Sequence, residues 1–164
     1  MSTLDPVSAI QKTGDLRSST FTQIWITIKN LNKVMETALY KRAGISSIQL
    51  AVLHGIIEND GVMRPSEIAK WTSTERNNVS TLMRRMVQSK LIIIKRGKKR
   101  NLVTVHITEK GRSVFINSIP KARELINDIM CTFSDDELIQ MQSMCVMMSA
   151  NVDRLKSKIS AVPY

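Results

Sequence analysis

"RPSEIAKWTSTERNNVSTLMRRMVQSK", residues 64–90, is the stretch that decides the fold. Its first part reads as a short helix. Pro65 suits a first helical turn, and Ile68, Ala69 and Trp71 can face a core. A polar turn follows at Thr72–Ser73–Thr74. A second helix then brings Val79, Leu82, Met83 and Met86 to one face. At about 100° per residue, the opposite face carries Asn77, Thr81, Arg84 and Gln88, flanked by Asn78, Ser80 and Arg85. Thr72 with Glu75 three residues on fits a capping box, and Thr74 is a rival N-cap, which leaves the start of the second helix open by about two residues. A short helix, a polar turn and a second helix with a polar, basic outer face form the helix-turn-helix pattern.

C-terminal to this stretch, Leu91–Lys95 reads as a buried strand and Gly97 with its charged neighbours as a turn. Leu102–Ile107 reads as the returning strand, with Val103, Val105 and Ile107 alternating to one face. A hairpin directly after a helix-turn-helix makes a winged helix. "TEKG" (108–111) starts a further helix through Val114, Phe115 and Ile119, which Pro120 interrupts or kinks, and the helical pattern resumes at Lys121. "SDDE" (134–137) is a capping box. Leu138, Met141, Met144, Cys145, Met148, Val152 and Leu155 then recur about every 3.5 residues.

Upstream, residues 1–19 are polar and aperiodic and read as a loose arm. From Phe21 to about Lys41 the apolar residues fall at helical spacing, and Gly44 takes the C-cap role. Ser46 or Ser47 caps a helix carrying Ile48, Val52, Leu53, Ile56 and Ile57. Asn59–Asp60–Gly61 is a turn. The fold class read from this order is mainly α with a small β-hairpin (α+β).

Composition narrows the function. The apolar fraction of 43% excludes a disordered chain. No apolar run approaches the roughly 20 residues of a membrane helix, and the polar N-terminus has no h-region of a signal peptide. Cys131 and Cys145 lack metal-ligand spacing and read as buried small hydrophobes in a reducing, cytoplasmic setting. The net charge is +10, and all of it is confined: residues 64–112 hold 13 Lys/Arg against 3 Asp/Glu, while the rest of the chain holds 11 of each. Such confinement is the footprint of a polyanion. A membrane surface fits poorly, because the basic segment lacks an amphipathic helix with large aromatics. No nucleophile motif, glycine-rich phosphate loop or metal-spaced cluster is present, so no enzyme, cofactor or metal is expected.

The order of elements resembles the MarR family of transcriptional regulators from about Phe21 to Leu155. The most specific part is "PSEIAKWTSTERNNVSTLMRRMVQSKLI", followed by a basic wing and "ITEKGRSVF". "FSDDELIQM" is similar to the family's usual opening of its last helix. Two positions depart from the pattern. Arg84 stands where the family commonly has an acidic residue, and Lys99–Arg100 stands where it commonly has Asp-Arg. The wing is also about one residue shorter.

The resemblance implies a homodimer binding double-stranded DNA as a transcriptional regulator, with a small-molecule effector in many members. It divides the chain into an arm (1–19), a dimerisation helix (20–44), a winged helix-turn-helix domain (45–109) and C-terminal dimerisation helices (110–160). The sequence supports pairing independently: Trp25, Ile28, Leu31, Met35, Met141, Met144 and Met148 are more apolar surface than one small domain covers. The expected DNA residues are Arg76, Asn77, Asn78, Ser80, Thr81, Arg84 and Arg85 on the recognition helix, and Arg96, Lys98, Lys99 and Arg100 on the wing. Ser66, Lys70, Thr72, Ser73 and Thr74 are the expected phosphate contacts. Trp25, Met35, His54 and Met63 could line an effector site, plain core being the competing reading. The rival function is a constitutive architectural winged-helix protein that binds DNA or RNA without site preference.

Overall fold

The computed structural model describes residues 15–97 and 103–160, and for Arg76 and Ser160 the backbone alone. The chain divides into two compact units, one ending at Leu125 and one beginning at Ile126. The elements are α1 (Leu16–Ala43), α2 (Ser47–Glu58), β1 (Val62–Met63), α3 (Pro65–Trp71), α4 (Arg76–Gln88), β2 (Ile92–Arg96), β3 (Val103–Ile107), α5 (Glu109–Met130) and α6 (Asp135–Ser160). The small sheet is antiparallel in the order β1-β3-β2. This is the expected α+β winged-helix class.

Local chemistry sets the helix boundaries. α1 begins at Leu16, inside the segment expected to be a loose arm, because Asp15 caps it: its carboxylate accepts from the backbone N–H groups of Arg17 (3.0 Å) and Ser18 (3.2 Å). The Ser18 hydroxyl, followed by these N–H groups, holds the Asp15 carboxyl below its ordinary value. Gly44 ends α1 in the left-handed region (φ 67), its N–H donating to Tyr40 O. Of the two candidate serines, Ser46 caps α2, exchanging bonds with Gln49 in a capping box.

The capping box expected from Thr72 and Glu75 does not form. α4 is preceded by Glu75 in extended geometry, with no side-chain cap. Thr72 instead finishes α3, its hydroxyl donating to Ile68 O at 2.8 Å, and the Thr74 hydroxyl donates to Thr72 O at 3.1 Å. Both hydroxyls thus bond back to backbone carbonyls four and two residues earlier rather than forward to the start of α4. Ser73 makes the turn in the left-handed region (φ 50).

One core fills the first unit. Leu39 of α1, Val52, Leu53 and Ile56 of α2, and Ile68 of α3 meet Val79, Met83 and Met86 of α4, Ile92 and Val105 of the sheet, and Leu125 of α5. The expected buried strand at 91–95 is buried only at its base. Leu91 and Ile92 are enclosed, whereas Ile93 and Ile94 are 44% and 40% exposed. Ile93 lies beside His106, which lies beside Val62, on the sheet face turned from the core. Trp71 is not core either. It lies over Gly55, where an added Cβ would come within 2.8 Å of the ring, and its Nε1–H donates to Ala51 O at 3.0 Å.

Pro120 does not interrupt α5, which runs through it. Ile116 and Pro120 both face outward, while Ser118, Ala122 and Leu125 are buried and hold the helix on either side of the proline. In the second unit, Ser134 and Glu137 form the expected capping box of α6, with Ser134 N–H donating to the Glu137 carboxylate at 2.8 Å. That bond, then the Ser134 hydroxyl, lowers the Glu137 pKa. Cys131 and Cys145 are free and exposed in the single chain, not buried as expected.

Candidate nucleic-acid interface

The site is built on α4. Its apolar stripe is driven into the core: Val79, Met83 and Met86 are buried. The helix is thereby held in one rotational setting, and its other face is turned to solvent. Asn77, Asn78, Ser80, Arg84 and Arg85 are exposed and Thr81 is half-buried. The backbone of Arg76 opens the helix. On α3, Ser66 and Lys70 are exposed, and so is Ser73 in the turn. Thr72 and Thr74 are half-buried with their hydroxyl protons already donated to backbone carbonyls, so of the five expected phosphate contacts Ser66, Lys70 and Ser73 keep exposed donors.

On the wing, Arg96 lies opposite Val103 at the far end of the paired strands, and Lys95 opposite Thr104; both cations are exposed. Lys98, Lys99 and Arg100, the remaining wing residues expected from the sequence, lie outside the described residues.

A junction not anticipated from sequence joins α4 and the wing. α4 ends with Leu91 N–H donating to Met86 O at 2.9 Å and with Lys90 in the left-handed region (φ 60). The Thr108 hydroxyl, at the start of α5, donates toward Lys90 O (2.7 Å) and Leu91 O (3.1 Å), and accepts from Gly111 N–H at 2.9 Å. A Cβ at Gly111 would sit 2.2 Å from Leu91 O. Thus the end of α4, the base of β2, the end of β3 and the start of α5 meet at one point, and only glycine allows that approach. The signal was present in "TEKG", which shows a helix start but not the backbone packed against it.

A cleft of about 370 Å³ lies beside α4, lined by Ile48, Thr74, Asn78, Thr81, Leu82 and Arg85. Ile48 comes from the start of α2 and has no sequence signal linking it to α4. The suggested effector residues separate: Met63 is buried and Met35 packs against the core, whereas Trp25 is 64% exposed. His54 is exposed between Trp71 and Phe115, with ring centroids 5.9 and 5.8 Å away, and its Nε2 is 3.5 Å from the Glu58 carboxylate. No helix among the described residues is long and apolar enough to cross a membrane.

No protein-family model and no curated protein sequence matches this chain. Solved structures do. The organohalide-sensing transcriptional regulator RdhR, in its ligand-free form, matches with a TM-score of 0.81 at 19% identity over 93% of each chain. AbsC, a MarR family transcriptional regulator from Streptomyces coelicolor, matches with a TM-score of 0.70 at 18% identity, over 82% of this chain and 95% of its own. BpsR of Bordetella bronchiseptica matches with a TM-score of 0.66 at 17% identity, over 77% of this chain and 98% of its own. The likeness at these identities is one of architecture, and it runs through the helix-turn-helix, the wing and the flanking helices together: the chain has the fold of the MarR-type winged-helix regulators.

Proposed function

We propose that this chain is a sequence-specific double-stranded DNA-binding transcriptional regulator, acting as a homodimeric repressor on a palindromic operator and released by a small ligand. One observation carries the reading: α4 buries an apolar stripe and turns outward Asn77, Asn78, Ser80, Arg84 and Arg85, in the segment that holds the whole net charge. Set in a major groove, Asn77 or Asn78 pairs with adenine and Thr81 meets a thymine methyl, while Arg76, Arg84 and Arg85 take guanine or phosphate. Ser66, Lys70 and Ser73 hold the backbone, which positions the protein without specifying sequence. Arg100, between β2 and β3 in the sequence, enters a narrow minor groove, where the negative potential favours arginine, and Lys98 and Lys99 hold the flanking phosphates.

Pairing is supported by apolar side chains left uncovered on α1 and α6, among them Trp25, Ile28, Met144, Val152 and Leu155. Residues 20–44 and 110–160 serve dimerisation in this reading, and 45–109 reads DNA. A small-ligand response is supported by the neighbours: BpsR is described as regulated in its DNA binding by 6-hydroxynicotinic acid, and RdhR has a form with bound 2,4-dichlorophenol. Selection of bound sites from random duplexes tests the proposal. The expected result is a palindrome whose half-sites lie roughly 34–36 Å apart, one helical turn. Retention of duplexes without sequence preference overturns it in favour of an architectural protein.

A further inference from the structure

The segment "MQSMCVMM" (141–148) of α6 concentrates sulfur: five of its eight side chains are Met or Cys. Elsewhere α6 meets its apolar needs with Leu138, Ile139, Val152, Leu155 and Ile159. Methionine offers no advantage over leucine as plain helical stripe, since the two have nearly equal helix propensity. Four of the sulfurs share a face. At about 100° per residue, Met141, Met144, Cys145 and Met148 fall within an arc of about 100°. Cys145 has Met141 four residues before it and Met148 three after, spacings that put Cβ atoms about 5–6 Å apart, within reach of a shared ion on flexible thioether arms. Cys145 is free and exposed, and Met141, Met144 and Met148 are uncovered in the single chain.

We propose that Cys145, with thioethers drawn from Met141, Met144 and Met148, binds a soft monovalent metal ion, Cu(I). Thiolate and thioether ligands select Cu(I) over harder ions. Charge points the same way. From Leu138 to Val152 the helix carries no ionisable side chain other than the Cys145 thiol. On binding, that thiol gives its proton to solvent as the sulfur–copper bond forms. Thiolate and Cu(I) then sum to zero charge, whereas a divalent ion leaves an uncompensated positive charge in an apolar stretch. A neutral pair is also compatible with a second copy covering the stripe. The inference does not rest on the DNA-binding reading.

The test is anaerobic titration of the reduced, full-length protein with Cu(I) against a chromogenic Cu(I) chelator. The proposal expects about one Cu(I) per chain to resist the chelator, loss of that ion in Cys145→Ser, and weakened retention in Met141→Leu and Met148→Leu, which keep the helix and its apolar surface. Cys131→Ser should retain the ion and Zn(II) should not displace it. Complete extraction by the chelator overturns the proposal. So does equal damage from Cys131→Ser, which reports binding by both thiols, or a triple Met→Leu variant at 141, 144 and 148 that binds as the parent does, which reports a bare thiol.

Discussion

α4 and α6 both expose most of what they do not pack, but they expose opposite chemistry. The outward face of α4 is amide, hydroxyl and guanidinium, chemistry that is stable against water. The exposed side chains of α6 include Ile139, Met144, Val146, Val152 and Leu155, which water does not satisfy. Exposure alone therefore says little about function. Polar exposure is tolerable and reads as a site only because the charge is confined to it, whereas apolar exposure over a whole helix is costly and calls for a protein surface.

The largest effect expected from this contrast is on salt. If α4, the turn and the wing make six to ten phosphate contacts per dimer, raising salt from 50 to 200 mM weakens DNA binding by about 10³–10⁵-fold. Fluorescence anisotropy across that range checks it, and a flat response removes the phosphate role from the basic segment. Self-association should barely respond to the same change, because the exposed stripe of α6 is neutral.

Paired substitutions sharpen the contrast. Val152→Asp places a charge within the exposed stripe and should abolish dimerisation in sedimentation, with loss of operator binding following from the loss of the second half-site. Arg84→Ala should leave the sedimentation profile unchanged and cost about 1–3 kcal/mol of binding, roughly 5–150-fold in Kd, if it meets a base edge. A Val152→Asp protein that still sediments as a dimer would break the assignment of α6.

A third prediction concerns the junction that positions α4 against the wing. Gly111→Ala drives a methyl into Leu91 O and should destabilise the fold by about 1–3 kcal/mol, read as a lower denaturation midpoint. Gly44→Ala, with open space around its Cβ position but a positive φ, should act through backbone strain alone and serves as the comparison.

The smallest effect is on pH. The Ser134 backbone N–H, then its hydroxyl, holds the Glu137 carboxyl below its ordinary value of 4.5. The folded state thus favours the ionised form. Its contribution is present above about pH 4.5 and fades as pH falls through the lower folded value, where both states are protonated. Glu137 is exposed, so the effect is slight: Glu137→Gln should lose a little stability at neutral pH, none at the acid end, and so flatten the acid limb of unfolding.

Several features were legible in sequence because their causes are local. The alternation of apolar and polar side chains in 76–88 fixes which face of α4 is buried, since a helix has one period. Gly44 and the Ser134–Glu137 box end or begin helices through partners three or four residues away. The confinement of charge to 64–112 needs no coordinates at all. Other features depended on partners far along the chain. Trp71 carries the signature of a core residue, yet it rides over Gly55, sixteen positions earlier. Two-residue β1 is too short for any period to register, and it exists because β3 offers an open edge. Pro120 would stop an isolated helix, but buried Ser118 and Ala122 on either side hold α5 continuous through it. The sequence by itself determined the main helices and the hairpin, the faces of α4 and the location of charge, because these follow from backbone periodicity and formal charge. Tertiary structure alone decided where the wing joins α4, because the Thr108 hydroxyl and the Gly111 backbone meet the carbonyls of Lys90 and Leu91, 17 to 18 residues from Thr108.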